Sequence, residues 1–541
     1  MKPIALLDVN LEHTPIGTVS RLADELCGEV VLRRTIGRLQ SVADLAAIVV
    51  ACPKDQQTAV ESMLAGTSAQ CFSRDASQPI YRSLIRSARK WSLDAWRGGL
   101  GSSSGLDDYM DVRILLGALD RTAADTVVFV PPGSALIDPR FVEAMLEHAQ
   151  ANENTVRLTF AQTPPGLSPV IMQRPLCEQL VQSNAPVGWA IGYKPDDPAI
   201  DMAFKPSCYI ASQPLRHASG RLTADTLRSF RDMERIIHCG ADSSADASAN
   251  WLLENERTRF ADLPREIEIE LTTESPVQSR LRPNRDQIPK RDPIDPQLVG
   301  KLAGEMASYD DALITLAGYG DPLLHPDFAS ILAVIKSANV YGLSIRTTGQ
   351  SMTDEHISVL IENDVDIIEF VLDAWTPEAF ARCYEGGKLQ NATDAIDRLI
   401  EARRTAQQAT PIIVPSMTKS RLNIGEMDPF FDGWIRKVGC ALIGAYTDYA
   451  GQLEDQSVAD MRPPQRTPCR QITNRCFVAS DGRVYPCDQD LTGTMSLGHL
   501  ADATMEAIWA GSVHSNLRSC HATGNLDEYP ICARCSEWHR P

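Results

Sequence analysis

Continuous apolar runs of strand length alternate with amphipathic stretches over residues 1–240. Residues 4–7 (I-A-L-L), 46–51 (A-A-I-V-V-A) and 126–130 (T-V-V-F-V) are such runs, and the segments between them have helical periodicity. Strands alternating with helices in this way predict an α/β domain with a mostly parallel, doubly wound sheet. Residues 240–250 (G-A-D-S-S-A-D-A-S-A-N) are small, polar and poorly patterned, so 241–264 reads as a surface linker. Residues 266–271 (E-I-E-I-E-L) then alternate charged and apolar positions, a strand pattern. Further strands are predicted at 312–316, 343–346, 366–372, 411–414 and 440–444. Helical spacing lies between them, as in Phe328, Ile331, Leu332 and Ile335, or Ala392, Ile396, Leu399 and Ile400. Six strands with intervening helices fit a partial (β/α)6 barrel over 265–455. Near the end, 477–486 alternates around Asp481-Gly482, a hairpin signal.

That hairpin lies in the richest cysteine region. Six of the fourteen cysteines fall between Cys469 and Cys535. Cys532 and Cys535 form a C-x-x-C pair that can hold one metal centre from a single turn, and the hairpin carries Cys487 back towards Cys469 to complete four thiolates. An iron–sulfur cluster, a tetrahedral zinc ion and unligated thiols all remain open on spacing alone. Cys476 and Cys520 fall outside the quartet and read as small buried hydrophobes. Four thiolates need no further ligand, so His514, His521 and His539 read as solvent-facing, while His325 in L-L-H-P reads as a turn residue.

Composition narrows the partners. The 541 residues carry a net charge of −18, with no basic stretch to offset it, which argues against a nucleic-acid backbone as ligand. No apolar run reaches spanning length and the start, M-K-P-I-A-L-L-D, lacks a signal-peptide pattern, so no membrane partner and a cytoplasmic location are expected. In a reducing compartment, cysteines clustered at one end point to metal ligation rather than to disulfides.

Three resemblances sharpen this picture. The tail, with D-G-R-V-Y-P-C from Asp481, L-G-H-L and the closing C-x-x-C, resembles the SPASM domain, the auxiliary iron–sulfur module of many radical S-adenosylmethionine enzymes, and assigns 466–541 to it. Residues 314–328 (I-T-L-A-G-Y-G-D-P-L-L-H-P-D-F) and the phrase I-R-T-T-G ending at Gly349 resemble the radical S-adenosylmethionine core. There the loop matching Gly318, Gly320, Asp321 and Pro322 holds the amino group of S-adenosylmethionine. Asp321 stands where that family has glutamate, and Thr348 where it has asparagine. Over 1–240, C-G-E-V-V-L-R-R-T-I-G-R-L, A-C-P and V-F-V-P-P-G-S-A-L-I-D-P are similar to sugar-nucleotide cytidylyltransferases.

Both catalytic resemblances carry departures. The radical family has C-x-x-x-C-x-x-C after the first barrel strand; the matching positions here are Ser275, Ser279 and Arg282, which are poor or impossible iron ligands. The transferase family has a glycine-rich basic loop, a lysine and a metal-binding aspartate; here residues 8–17 are acidic with one glycine, and Glu29 and about Gly133 stand at the other two places. Asp138 and Asp201 remain as nearby carboxylates, with Asp138 read as the N-cap of a helix over 139–150. Arg280, Arg282, Arg285, Lys290 and Arg291 read either as a solvated basic loop or as an anion or docking site in the vacated cluster pocket.

The resemblances imply one 4Fe-4S cluster, with zinc as the alternative, and S-adenosylmethionine as a further candidate ligand. They imply a non-radical iron–sulfur protein that binds a peptide or partner enzyme or relays electrons. The alternatives are a modifying enzyme that is S-adenosylmethionine-dependent or partner-assisted, and a zinc-stapled interaction protein. No catalytic residue is assigned.

Overall fold

Strand β1, Pro3–Asp8, has both faces covered: Ile4 and Leu6 enter one apolar cluster, Ala5 and Leu7 another. The helices Val31–Leu39 and Pro139–Ala151 contribute Val31, Leu32, Val142 and Met145 to the second cluster. Val112–Thr122 and Arg174–Ser183 contribute Leu115, Leu119, Cys177 and Leu180 to the first. The sheet adds β2 (Ala47–Pro53), β3 (Gln70–Arg74), β4 (Thr126–Phe129), β5 (Leu158–Ala161), β6 (Val170–Gln173) and β7 (Cys208–Tyr209), in the order β3-β2-β1-β4-β6-β5-β7. The four strands from β3 to β4 run parallel and β6 pairs antiparallel with β4. Helices on both faces of such a sheet make the doubly wound arrangement. This is the computed structural model of the chain; it describes all residues except 76, 77, 80, 197–204, 257, 258, 260, 261 and 541. It divides into two compact units, Met1–Arg259 and Phe260–Pro541.

Asp138 caps its helix, accepting from Arg140 N at 3.0 Å, and also holds Ala245 N at 3.0 Å. Asp201 lies outside the described residues. The stretch 240–250, expected as a linker, differs. Ala245–Glu254 is a helix, capped by Ser244, that buries Ala245, Ala249 and Leu252 in the first unit. Alanines are strong helix formers whose small side chains allow close packing, so low hydrophobicity concealed a buried face. Among the charged groups of this unit, Asp108 binds Arg89 at 2.8 Å and Arg221 at 2.9 Å, and Arg221 reaches Asp225 at 2.6 Å, with every side chain at most 2% exposed.

The second unit begins with β8, Glu266–Glu270. It continues through β9 (Leu313–Ala317), β10 (Gly342–Thr347), β11 (Ile367–Val371), β12 (Ile412–Lys419) and β13 (Leu442–Ala445), all joined in parallel. The cysteine-region hairpin, β14 (Arg475–Val478) and β15 (Arg483–Tyr485), is not a detached module. β14 pairs in parallel with β8, and β16 (Gly498–His499) extends the sheet to β13-β12-β11-β10-β9-β8-β14-β15-β16. The E-I-E-I-E alternation sends Ile267 and Ile269 to one buried face and Glu266, Glu268 and Glu270 to the other. Each glutamate meets an arginine: Arg475 at 2.6 Å, Arg346 at 3.6 Å and Arg291 at 2.8 Å respectively.

Removing one partner from a fully buried ion network strands the remaining charges. Asp108→Ala should therefore cost about 3–5 kcal/mol, seen as a lower urea midpoint at unchanged slope.

Candidate metal centre and adjoining cavity

Cys469, Cys520, Cys532 and Cys535 pack around one apolar cluster with Ile472, Met495, Leu517 and Ile531. Cys532 and Cys535 sit at the end of the short helix Pro530–Arg534, and Cys487 follows β15. Burial raises all four expected ligand thiols, and for Cys487, Cys532 and Cys535 a neighbouring thiol adds to it. Cys487 is pushed up further by Asp488 and by Cys532 and Cys469, and Cys532 and Cys535 each rise to about 12. Buried thiols, three of them raised further by a neighbouring thiol, suit a cation among them. Iron or zinc is what converts such thiols to thiolates. Among the described residues no three His, Cys, Asp or Glu side chains close on the position of a single metal ion. The chemistry of the donors fits a thiolate-bound group.

The histidines are not solvent-facing. His514 is buried, its ring nitrogens bonded to Trp509 O and Ile472 O, each at 2.8 Å. His521 is buried too: Nδ1 accepts from Cys469 N at 3.3 Å, which leaves the proton on Nε2, an atom with no partner among the described residues. Helix Ser512–Thr523 turns both inward beside Leu517, a spacing that its weak amphipathic pattern did not reveal. His539 is half-buried on Ser536 O. Cys476 is buried and Cys520 is partly buried. His325 is a turn residue, buried with Nε2 on Ile294 O and Nδ1 accepting from Asp327 N.

The loop after β8 is internally satisfied where cluster ligands would stand. Ser275 Oγ donates to Val277 O at 2.8 Å, and Ser279 Oγ accepts from Leu281 N at 3.0 Å. Arg282 reaches Thr418 Oγ1 at 3.0 Å and lies 3.8 Å from Asp373, a fully buried carboxylate that also accepts from Tyr384 Oη. The other arginines of this loop are likewise paired: Arg280 with Glu385, Arg285 with Glu274 and Arg291 with Glu270. Arg291 is buried, so the basic run is not simply a solvated loop.

In the G-Y-G-D-P turn a Cβ on Gly318 would lie 2.7 Å from Glu270 Cβ, and one on Gly320 would lie 2.1 Å from Thr272 O. Close approach to the end of β8 therefore requires both glycines. Asp321 accepts from Thr347 Oγ1 at 2.9 Å, Thr348 Oγ1 at 2.7 Å and Thr348 N at 3.0 Å, and caps the turn of Pro322 through Leu323 N. The two departures, Asp321 and Thr348, thus meet each other: a shorter acid is reached by a hydroxyl.

These elements surround a cavity of about 630 Å³ whose walls include Ser275, Ser279, Arg282, Gly318, Gly320 and Asp321. A second cavity of about 280 Å³ holds Cys476 and Cys487, and both share Glu268, Arg282, Arg346, Tyr449 and Asp488. Sequence reasoning named Arg282 but not the other four. The alternation of β8 was visible, but charged positions on a strand ordinarily face water.

The first unit closes its equivalent loop as well. The amides of Leu11, Glu12, His13, Thr14, Gly17, Thr18 and Ser20 donate to Gln56, Asn10, Thr14, Thr18 or Glu12. Asp8 at the end of β1 pairs with Arg74 at 2.5 Å. A Cβ on Gly133 would lie 2.9 Å from Ala224 N, so no larger side chain fits there.

Comparison with known proteins identifies the class of the second unit. Residues 469–536 match the SPASM iron–sulfur cluster-binding domain, and 280–422 match the radical SAM superfamily. Over these residues the chain matches the radical SAM/SPASM superfamily, and the second unit has a partial barrel-like sheet and a cysteine-rich end. It is 24% identical over 326 residues to an uncharacterized protein of Treponema pallidum (strain Nichols), covering 56% of this chain and 87% of the relative. Solved structures similar to it include Streptococcus suis SuiB bound to the precursor peptide SuiA, at 11% identity, 51% and 71% coverage and TM-score 0.40. They also include a cytidylyltransferase from Leptospira borgpetersenii, at 14% identity, 48% and 96% coverage and TM-score 0.32. No helix among the described residues is long and apolar enough to cross a membrane.

Burial lifts the Glu268 carboxyl to about 7 against the pull of Arg346. The folded chain holds this proton over a range, between 4.5 and about 7, where the unfolded chain has lost it. Its contribution to stability is complete below that range and is lost as pH rises through it. Glu268→Gln should therefore gain on the parent between about pH 5 and about pH 8, by on the order of 2 kcal/mol in urea titrations.

Proposed function

We propose that this chain binds one 4Fe-4S cluster through Cys469, Cys487, Cys532 and Cys535. It acts as a binding or electron-relaying protein for a peptide or partner protein, and does not itself cleave S-adenosylmethionine. A cluster held there would supply one-electron exchange. The chain's own residues hold it in an apolar setting and keep Cys487 at the wall of the smaller cavity. The observation that carries this reading is the loop after β8: both serine hydroxyls are committed to its backbone and Arg282 to Asp373 and Thr418. A guanidinium cannot ligate iron, and a neutral hydroxyl is a poor ligand.

We read the first unit as nucleotidyltransferase-like in fold and silent in that chemistry. Its loop amides are engaged internally, so few donors are left for a triphosphate, and the place expected for a metal-binding carboxylate is Gly133, without room for one.

Anaerobically prepared protein is expected to contain about four irons and four sulfides per chain, with a reduced-cluster resonance lost in Cys535→Ser. Incubation with S-adenosylmethionine and a strong reductant is expected to release no 5′-deoxyadenosine. Stoichiometric zinc without sulfide, or formation of 5′-deoxyadenosine, would overturn the proposal.

A further inference from the structure

The charges on the walls of the two cavities do not cancel. Each guanidinium there already has its own carboxylate: Arg282 has Asp373, Arg285 has Glu274, Arg346 has Glu369, Arg475 has Glu266 and Arg540 has Glu537. Asp321 is held by Thr347 and Thr348. What remains, besides the exposed Asp286 of the larger cavity, is Glu268, 3.6 Å from an arginine that Glu369 engages more closely at 3.0 Å, and Asp488, whose side chain meets Gln489 Nε2 at 3.0 Å. Glu268 and Asp488 line both cavities.

A second observation points to an occupant. Tyr449 is 7% exposed, lines both cavities and stands among the charges of Asp488, Arg282, Glu268 and Arg346. Among the described residues its hydroxyl has no hydrogen-bond partner, although Tyr319 beside it donates to Asp488 O at 2.7 Å. The hydroxyl therefore opens on the cavities, free to bond a polar group bound there.

We propose that the shared part of these cavities binds a primary ammonium group, with Glu268 and Asp488 as its counter-charges and Tyr449 Oη bonding a polar atom beside it. This rests on the ligand-binding reading above and names the chemistry of its ligand. An excess of carboxylates over guanidiniums favours a cation over the anion suggested by the arginines of the loop. The ammonium could come from a lysine side chain of a peptide or from a free amino sugar; both present the same donor group.

The test uses the full chain, anaerobically prepared, at about pH 8, where Glu268 is ionised. Nα-acetyl-L-lysine amide and D-glucosamine are titrated calorimetrically, each against its uncharged partner, the Nε-acetylated lysine derivative and D-glucose. At least one charged probe is expected to bind about tenfold more tightly than its neutral partner, and that preference should disappear in Glu268→Gln. Tyr449→Phe should weaken binding several-fold, and iron and sulfide content should be unchanged in both variants. Preference for the lysine probe identifies a peptide source, and preference for glucosamine a small-molecule source. Equal binding of charged and neutral probes, no binding of either charged probe, or a preference that survives Glu268→Gln would overturn the proposal. Iron content measured on the same samples reports separately on the cluster, so loss of one reading is distinguishable from loss of the other.

Discussion

Three glutamates on one face of a single buried strand are the constraint around which the second unit is built. Unpaired, each would be driven to neutrality or would unfold the strand, because an isolated charge cannot be taken out of water at tolerable cost. Arg291 arrives from the loop after the strand, Arg346 from two strands away, and Arg475 from the neighbouring strand β14. The ends of this ladder are tight and its middle is slack. The slack rung, Glu268, is the one that lines both cavities, so the need for neutrality that holds the barrel together also leaves its interior short of positive charge.

The barrel loop shows how catalytic signatures can be replaced without loss of fold. Arg282 is more than an absent ligand, because its guanidinium stands beside Asp373, a fully buried acid tied also to Tyr384. Asp321 and Thr348 depart from the family pattern together and bond to each other. Such substitutions form new internal networks. Restoring a single cysteine at Arg282 would therefore leave a buried carboxylate without its cation.

Much of this architecture was readable from residue pattern, and the exceptions have physical causes. Runs such as I-A-L-L at 4–7 announce buried strands because both faces are apolar, and Asp481-Gly482 announces its hairpin because only a few residues tolerate that turn. The helix Ala245–Glu254 was hidden because its buried positions are alanine and serine. The inward direction of the β8 glutamates was hidden because the partner of Glu266 lies 209 residues away, and alternation tells that two faces differ without telling which is inside. Tyr449 was beyond reach for a similar reason. Nothing local marks a tyrosine at φ 51, followed by Ala450 at φ 58, as the wall of a cavity.

The pairing of β14 with β8 has a consequence for how the chain can be divided. A protein cut before the cysteine region would lose Arg475 from Glu266 and convert β8 from an interior strand into a bare margin. Open margins of this kind recruit strands from other molecules, so the shortened chain would be inclined to aggregate rather than to persist as a smaller barrel.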